Sequence, residues 1–411
     1  MSRRLSVLAS VILLLLAVVA VQAANIQFFK ASALNASPIN PRLTTATNSS
    51  PRGDIVAADG TILARSISQA NTAFPYRRIY PLGSLTSGVV GFSGAAYGNW
   101  GLEAEYGSYL TAHVQPPKSF AQVLAPITAA DSLNLTLYPS LQRVARTAMK
   151  GVLGAAVVLN PKNGDVLGMY SNPNYNPNPL TSTAYSTTLG FVVAKAEWKR
   201  ITTPNQYGIA PLNLTAVQET FPPGSTFKVI TASSFVTNQA GLAYSAIGQE
   251  NVRATALQDA LVAAAIGNHG VEMAPHLMTS IFGPDGQLVK RYTPNIWQQP
   301  LTPSQAAQIV PWMQNVVKYG TAAGVFSPAD NVAAKTGTAQ VGDKQQHTDD
   351  WMIAFAPAND PTVAVAVVMP YQATANYGAT VAGPIVNCLV EDALAIQTHK
   401  PVHYTSSLCA G

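Results

Sequence analysis

Charged residues are scarce in this chain. Asp, Glu, Lys and Arg make up only 10% of its 411 residues, well below the quarter or so that globular proteins usually carry. The net charge is +5, but no run of Lys or Arg indicates a nucleic-acid-binding surface, so no nucleic-acid partner is expected. The surface must therefore consist largely of uncharged polar residues, which we interpret as typical of an exported protein. Composition does not decide the pH or other conditions in which the protein works.

Cysteine is scarce as well, since only Cys388 and Cys409 occur. Two cysteines exclude a disulfide framework, and no Cys/His spacing resembles a metal site. The pair either forms one bridge that ties down the C-terminus or remains as two thiols, and the sequence leaves both open. Phosphate loops, dinucleotide-binding fingerprints and internal repeats are absent too, so no metal and no cofactor is expected.

A long hydrophobic run is present at the N-terminus. Arg3 and Arg4 precede Leu5 to Ala24, which contains no charged residue and is long enough to span a bilayer. Because positive residues stay on the cytoplasmic side, residues 1–24 are predicted to be a cytoplasmic tip and a single-pass anchor, with the body outside the cytoplasm. The competing interpretation is a cleaved signal peptide, since Val21-Gln22-Ala23 resembles a cleavage site.

The chain is long enough for two or three domains. Residues 25–145 are predicted to form a small α+β domain, with a hairpin at Asp59-Gly60 and a strand from Asp131 to Leu137. A second hairpin, at Asn163-Gly164, is typical of the start of a new sheet. Residues 146–411 are therefore assigned to a second α+β domain, an antiparallel sheet with helices against it.

The pattern of apolar residues also predicts individual helices and strands within these domains. Helices are predicted at Ser140–Gly151, Arg253–Asn268, Thr302–Tyr319 and Pro384–Gln397. Strands are predicted at Val332–Val341, Trp351–Pro357 and Thr362–Met369.

The stretch Phe221-Pro222-Pro223-Gly224-Ser225-Thr226-Phe227-Lys228 predicts a helix start. Ser225 and Lys228 are three residues apart and so share a face. An amine desolvated by the neighbouring apolar side chains, near the positive helix end, has a lowered pKa and can take the serine proton. Backbone N–H groups at the same helix start can stabilise an oxyanion beside Ser225. Alone, this spacing also fits an ordinary helix start with an exposed lysine.

A second stretch is Lys335-Thr336-Gly337-Thr338, on a predicted edge strand. Gly337 has no side chain, so a substrate backbone can pair closely with the strand. The two threonine hydroxyls and the Lys335 charge suit the terminal carboxylate of a peptide. An exposed strand with an edge lysine is the structural alternative. Ser-x-x-Lys followed by Lys-Thr-Gly is, however, the serine acyl-transferase signature of β-lactamases and penicillin-binding proteins.

With both motifs in place, the chain resembles the class B penicillin-binding proteins over nearly its whole length. These are the membrane-anchored D,D-transpeptidases of cell-wall synthesis. The segments that resemble their non-catalytic N-terminal domain are Arg52-Gly53-Asp54-Ile55, Tyr80-Pro81-Leu82-Gly83 and Gly101-Leu102-Glu103. Ser245-Ala246-Ile247-Gly248-Gln249 resembles the segment that follows the active-site helices.

The resemblance implies a role for each motif residue. Ser225 would be the acylated nucleophile, Lys228 the base, and Lys335 a further catalytic group. Thr336, Gly337 and Thr338 would bind the substrate, and the backbone N–H groups of Ser225 and Thr338 would form the oxyanion hole. The implied activity is cross-linking of peptidoglycan stem peptides through an acyl-serine intermediate. β-Lactams would acylate the same serine. Implied partners are the membrane and a cell-wall polymerase or division proteins.

The sequence departs from the family in one respect. The family's third motif, Ser-x-Asn, is expected between the Ser-x-x-Lys helix and the Ile-Gly-Gln segment, but only residues 235–244 separate the two. We interpret this as a deletion of roughly a hundred residues near 235–244, judged against the usual size of such domains. The alternative function is therefore a catalytically impaired scaffold or peptidoglycan-binding partner.

Overall fold

The computed structural model describes residues 12–19, 21–22, 25, 50–69, 75–115, 117–124, 128–181, 188–233, 248, 252–342, 346–402 and 404–409. Its strands, in chain order, are β1 (Ile55–Val56), β2 (Ile62–Ser68), β3 (Tyr76–Ile79), β4 (Phe92–Gly94), β5 (Gly98–Trp100), β6 (His113–Val114), β7 (Thr128–Ala129), β8 (Ser132–Leu135), β9 (Gly154–Leu159), β10 (Val166–Asn172), β11 (Glu272–Met273), β12 (Met278–Phe282), β13 (Leu288–Arg291), β14 (Ile296–Gln298), β15 (Ala333–Val341), β16 (His347–Ala356) and β17 (Val363–Ala373).

The α-helices, in chain order, are α1 (Ser87–Val90), α2 (Leu102–Glu105), α3 (Gly107–Leu110), α4 (Phe120–Leu124), α5 (Pro139–Ala148), α6 (Thr188–Thr202), α7 (Thr215–Gln218), α8 (Lys228–Ser233), α9 (Ala256–Gly267), α10 (Pro303–Lys318) and α11 (Gly378–Thr398). Short 3-10 helices lie at Gly83–Leu85, Asn178–Leu180, Gly224–Phe227 and Pro328–Asp330.

A five-stranded antiparallel sheet, in the order β10-β9-β17-β16-β15, forms the centre of the larger body. Along β17, Val365 and Val367 pack into one hydrophobic cluster, and Ala364 and Ala366 pack into the cluster on the opposite face, as the two-residue period of a strand requires. Helices α5 and α11 cover the first face and α9 covers the second. The predicted α+β class is confirmed, and β15, with the Lys-Thr-Gly stretch, is an edge strand of this sheet.

A second sheet, in the order β13-β12-β8-β1-β2-β3, contains a third hydrophobic cluster around Leu63, Leu133 and Ile281. Its hairpin β1–β2 turns at Asp59-Gly60 as predicted, where Gly60 has a φ of 83°. The same sheet joins β1 and β8 to β12 and β13, which come from much later in the chain. Residues before and after Ser225 in the sequence therefore build one sheet.

Glu103 links the three N-terminal segments that resemble the non-catalytic domain of the family. Its buried carboxylate binds Arg52 (Nη2 to Oε2, 2.8 Å) and Arg78 (Nε to Oε1, 2.6 Å), and Tyr80 donates a hydrogen bond to it. Burial alone would raise the pKa of Glu103, but the two guanidinium groups outweigh burial and hold this pKa below its usual value. One carboxylate thus ties together segments that lie about 50 residues apart.

Most of the predicted elements are confirmed within a few residues. The hairpin at Asn163-Gly164 joins β9 and β10. Helices α9 and α10 begin at capping boxes, in which Thr255 pairs with Gln258 and Thr302 pairs with Gln305.

The predicted start of the last helix is wrong. Helix α11 begins at Gly378 rather than Pro384, which lies inside it. Proline is favoured in the first turn of a helix, but burial of Ala382, Ile385 and Val386 in the core extends this helix to the N-terminal side of Pro384. Among the described residues, α11 is the one helix long and apolar enough to cross a membrane, yet 67% of its apolar window is buried inside the body.

The two cysteines form a disulfide. Cys388, in α11, is bonded to Cys409, with their Cα atoms 5.3 Å apart, and both side chains are buried. Of the two possibilities left open by the sequence, the bridge that ties down the C-terminal tail is the one observed.

Only part of the predicted N-terminal anchor is described. Residues 12–19 and 21–22 are helical, and their apolar side chains are exposed, as for Leu13 at 67%. The rest of residues 1–24, residues 26–49 and all of residues 235–244 lie outside the described residues.

Candidate active site

Ser225 lies where the sequence predicts it, at a helix start. Pro222, Pro223 and Gly224 interrupt the preceding chain, the 3-10 helix Gly224–Phe227 follows, and it continues directly into α8. We call residues 221–227 the Ser225 turn. Ser225 itself is half-buried.

Hydrogen bonds from three directions fix the Ser225 turn. Trp351 Nε1 donates to the carbonyl oxygen of Pro222 (2.8 Å), and the backbone N–H of Gly224 donates to the carbonyl oxygen of Gly248 (2.9 Å). At the start of the turn, Phe221 exchanges two backbone hydrogen bonds with Ala254, each 2.9 Å. The turn is therefore held to the central sheet on one side and to the segment before α9 on the other.

The Ser225 turn packs directly against β15. Gly224 has a φ of 56°, which favours glycine, and a Cβ there would lie 2.9 Å from the carbonyl carbon of Thr338. A Cβ on Gly337 would overlap the carbonyl oxygen of Pro223. Two glycines thus allow the backbones of the two motifs to touch. The sequence analysis expected Gly337 to admit a substrate backbone instead, and it gave Gly224 no such role.

The other residues of the second motif lie along this edge strand. Lys335 Nζ donates to the carbonyl oxygen of Thr336 (2.7 Å), and the Thr336 hydroxyl lies 2.7 Å from that of Thr321. Thr338 Oγ1 accepts a hydrogen bond from Gly378 N (3.1 Å). The structure therefore brings Lys335, Thr336, Gly337 and Thr338 together with the Ser225 turn.

The surroundings of Lys228 differ from the prediction, and those of Lys335 explain its lowered pKa. Lys228 was expected to be desolvated by Phe221, Phe227 and Val229, but it is exposed. Val229 and Phe221 are buried in the core instead and do not enclose the amine. Lys335 is the half-buried lysine: burial, and secondly the charge of Lys228, lower its pKa to about 8.

Three buried aspartates around the site were missed from the sequence. Asp259 of α9 is 3% exposed and accepts from or donates to Thr226 Oγ1 at 2.8 Å, and burial raises its pKa to about 7. Burial likewise raises the pKa of Asp349 and of Asp350 to about 6 each. Their positions in the sequence could have indicated that these aspartates are buried. Asp259 interrupts the apolar face of a predicted helix, and Asp349-Asp350 directly precede a predicted apolar strand.

A Ser-x-Asn tripeptide does occur in the chain, at Ser132-Leu133-Asn134, far before Ser225 in sequence. It belongs to β8, which pairs with β1 on one side and β12 on the other within the six-stranded sheet. None occurs between Lys228 and Lys335. The tripeptide in β8 is therefore an element of the second sheet and not a third motif.

Comparison with known families identifies this arrangement. The profile of the "penicillin binding protein transpeptidase domain" matches residues 154–241 and 235–391, which is more than half of the chain. The chain belongs to the penicillin-binding protein transpeptidase family. Residues 52–132 match the "penicillin binding protein A dimerisation domain".

Curated relatives align over most of their length. Peptidoglycan D,D-transpeptidase PbpA of Mycolicibacterium smegmatis is 29% identical over 479 aligned positions, covering 90% of this chain and 94% of the relative. PbpA of Mycobacterium tuberculosis is 28% identical, covering 95% of this chain and 98% of the relative. Since 90% of this chain is about 370 residues, at least about 109 positions of the first alignment have no counterpart in it.

Solved structures agree with these relatives. The ceftriaxone acyl-enzyme of penicillin-binding protein A from M. tuberculosis superposes with a TM-score of 0.74 at 25% identity, covering 85% of this chain and 99% of that one. The penicillin G acyl-enzyme of the same protein gives a TM-score of 0.72 at 26% identity, covering 84% and 100%.

Proposed function

We propose that this protein is a peptidoglycan D,D-transpeptidase that cross-links stem peptides through an acyl-Ser225 intermediate, and that β-lactams acylate the same serine. The observation that carries this proposal is the contact between the Ser225 turn and the Lys335–Thr338 strand, with Gly337 against Pro223. That contact places a hydroxyl nucleophile beside a strand edge to which a peptide can pair. The relatives that align over most of this chain are named for this activity, so the scaffold alternative is not favoured.

The first chemical step is attack of Ser225 Oγ on the carbonyl carbon of the penultimate D-Ala. The serine proton must leave as the C–O bond forms, and Lys228, three residues on, is the proposed acceptor. Lys228 is exposed in the free protein, so its desolvation depends on the bound substrate covering the amine. Lys335, with its pKa lowered to about 8, is the second amine that can exchange a proton near neutral pH.

Charge that develops on the carbonyl oxygen is proposed to be stabilised by the backbone N–H groups of Ser225 and Thr338. Such preorganised donors contribute about 2.7–4 kcal/mol each in acyl-transfer enzymes. The Thr336 and Thr338 hydroxyls and the Lys335 charge are proposed to bind the terminal carboxylate of the stem peptide. The C–N bond then breaks, and D-Ala leaves with a proton on its amine.

The acyl-enzyme is then resolved by the amine of a second stem peptide, which forms the new amide and returns the proton to Ser225. In a β-lactam the leaving nitrogen stays attached to the acyl group, so the serine remains blocked. This difference explains how one nucleophile serves both as cross-linking catalyst and as β-lactam target.

We further propose that the chain lacks the segment that carries the third motif, by a deletion near 235–244. Two observations support this: the family profile matches in two pieces that meet at 235–241, and about 109 positions of the first relative alignment are unmatched. General acid–base assistance is worth about 10²–10⁴-fold. Acylation is therefore expected to be slower than in a relative that has Ser-x-Asn.

For the rest of the chain we propose residues 1–24 as a cytoplasmic tip and single-pass anchor, 25–145 as a non-catalytic domain and 146–411 as the penicillin-binding domain. The exposed apolar helix at 12–19 supports the anchor. The body would then lie outside the cytoplasm, where stem peptides are. A cell-wall polymerase or division proteins are the proposed partners.

The proposal is tested by covalent labelling with a fluorescent penicillin. Wild-type protein is expected to be labelled, Ser225→Ala is expected not to be, and Ser304→Ala, an exposed serine on α10, is the matched control. Thermal unfolding of each variant establishes that it is folded. A folded wild-type protein that takes no label would overturn the proposed function and leave the scaffold alternative.

A further inference from the structure

The hydroxyl of Thr226, the residue after the nucleophile, lies between two oxygen atoms. Thr226 Oγ1 is 2.8 Å from the carbonyl oxygen of Pro223 and 2.8 Å from Oδ2 of Asp259. Both Thr226 and Asp259 are buried. The Pro223 carbonyl oxygen is also the atom against which Gly337 of β15 packs.

The number of hydrogens decides the direction of these bonds. A threonine hydroxyl has one hydrogen, and a carbonyl oxygen can only accept. Two 2.8 Å contacts are both hydrogen bonds only if Thr226 donates to Pro223 and Asp259, as a neutral acid, donates to Thr226. An ionised Asp259 has no hydrogen to give, so the Thr226 hydroxyl must donate to it and abandon Pro223.

We propose that Asp259 is a positioning residue for the acylation step, which in its protonated form holds the Ser225 turn in place through Thr226 and Pro223. The inference rests on the proposed function, because it concerns the rate at which Ser225 is acylated. Ionisation of Asp259 takes the Thr226 hydrogen away from the Pro223 carbonyl, which loses this hydrogen bond at the point where the Ser225 turn lies against Gly337 of the Lys-Thr-Gly strand. Acylation is therefore expected to slow as Asp259 ionises.

The surroundings of Asp259 suit a neutral acid. Burial is the main cause that raises its pKa, to about 7, and the Thr226 bond opposes it. No charged group among the described residues contributes to that pKa. The elements packed against α9 and the Ser225 turn carry the titratable groups Lys228, Glu272, Lys318, Lys335, His347, Asp349, Asp350 and Tyr371.

The experiment is the rate of acylation by a fluorescent penicillin from pH 5.5 to 8.5 for full-length wild-type protein and Asp259→Asn. An asparagine amide donates to Thr226 at every pH, as only the protonated acid does. A pKa of about 7 leaves roughly one molecule in ten protonated at pH 8. The ratio of the Asp259→Asn rate to the wild-type rate is therefore expected to rise up to ~10-fold between pH 6 and pH 8.

Three variants separate positioning from general structure. Asp259→Leu, which cannot donate, is expected to be slow at all pH values. Thr226→Val removes the same hydrogen bonds without changing α9, and combining it with Asp259→Leu is expected to add no further loss, as for residues that act as one unit. Asp360→Asn, at an exposed aspartate, is expected to keep the wild-type profile.

The outcomes are distinguishable. If wild-type protein is labelled but the Asp259→Asn ratio stays flat with pH, or Asp259→Asn is as slow as Asp259→Leu, the positioning role is wrong and the proposed function stands. If Asp259→Leu does not fold, Thr226→Val decides alone: a wild-type rate in Thr226→Val overturns the inference. If wild-type protein is not labelled at any pH, the proposed function fails and the inference fails with it.

Discussion

Gly337 of β15 lies directly against Pro223 of the Ser225 turn, so that a Cβ on Gly337 would overlap the proline carbonyl oxygen. Gly337→Ala is therefore expected to push the strand and the turn apart. Overpacking of this kind costs about 1–3 kcal/mol, and in a site it also displaces the nucleophile. We expect a loss of penicillin acylation of at least ~10-fold, measured as the second-order labelling rate.

The matched control is Gly107→Ala. Gly107 begins α3, and a Cβ there would meet no atom within 4 Å. Because alanine is the better helix former by about 1 kcal/mol, this variant should be as stable as wild type or slightly more so and should label normally. Normal labelling of Gly337→Ala would show that the two backbones do not need their close contact.

Glu103 offers a test of what holds the N-terminal segments together. Glu103→Gln leaves two buried guanidinium groups without a counter-charge, and breaking a buried ion pair in this way typically costs about 3–5 kcal/mol. Chemical denaturation is expected to show a loss of that order. Glu105→Gln, two residues on and exposed, should change the free energy of unfolding by less than ~0.5 kcal/mol. Equal effects of the two substitutions would contradict a stabilising role for the cluster.

Local sequence signals were sufficient to place much of this fold. The Asp59-Gly60 and Asn163-Gly164 turns predicted both hairpins, because a positive φ at the second position is a local requirement. Thr302 marked the start of α10 for a similarly local reason, its capping of free N–H groups. The helix α9 was predicted from apolar spacing, three residues before its observed start. The two motifs of the site were found because their residue types are fixed by chemistry.

Features set by tertiary packing were not predictable in this way. Whether Lys228 is enclosed depends on which element covers it, and the apolar residues beside it point into the core instead. The raised pKa of Asp259 depends on its burial beneath the Ser225 turn, where it meets Thr226, 33 positions away in sequence. The start of α11 likewise depended on core packing that overrides a proline.

Lys228 provides a test of which amine receives the serine proton. Lys228→Gln removes the proposed acceptor, and loss of a general base is expected to lower the acylation rate by about 10²–10⁴-fold. Lys318→Gln, at the exposed end of α10, is the matched control and should label at the wild-type rate. Near-normal labelling of Lys228→Gln would instead assign the base role to Lys335, the lysine whose pKa lies near 8.

The buried aspartates predict that the protein is more stable in mild acid than at neutral pH. Burial raises the pKa of Asp259 to about 7 and that of Asp349 and Asp350 to about 6. Between the unfolded value of 3.8 and these folded values, the folded state binds more protons than the unfolded state. Linkage then requires the free energy of unfolding to fall as pH rises from about 4 to 7. Burial also raises the pKa of Asp330 and of Asp392, so these two groups add to the same trend.

Two further shifted groups, Glu103 and Lys335, act outside this window. Glu103 has a lowered pKa, so its contribution is lost only as pH falls below its unfolded value of 4.5. Lys335, lowered to about 8, changes stability only above that pH. The midpoint of thermal unfolding should therefore be higher at pH 5 than at pH 7.5, and Asp350→Asn should flatten the difference while Asp360→Asn, at an exposed site, should not. A midpoint that rises steadily from pH 5 to 7.5 would contradict the raised pKa values, because carboxyls with raised folded-state pKa values make stability fall over this range.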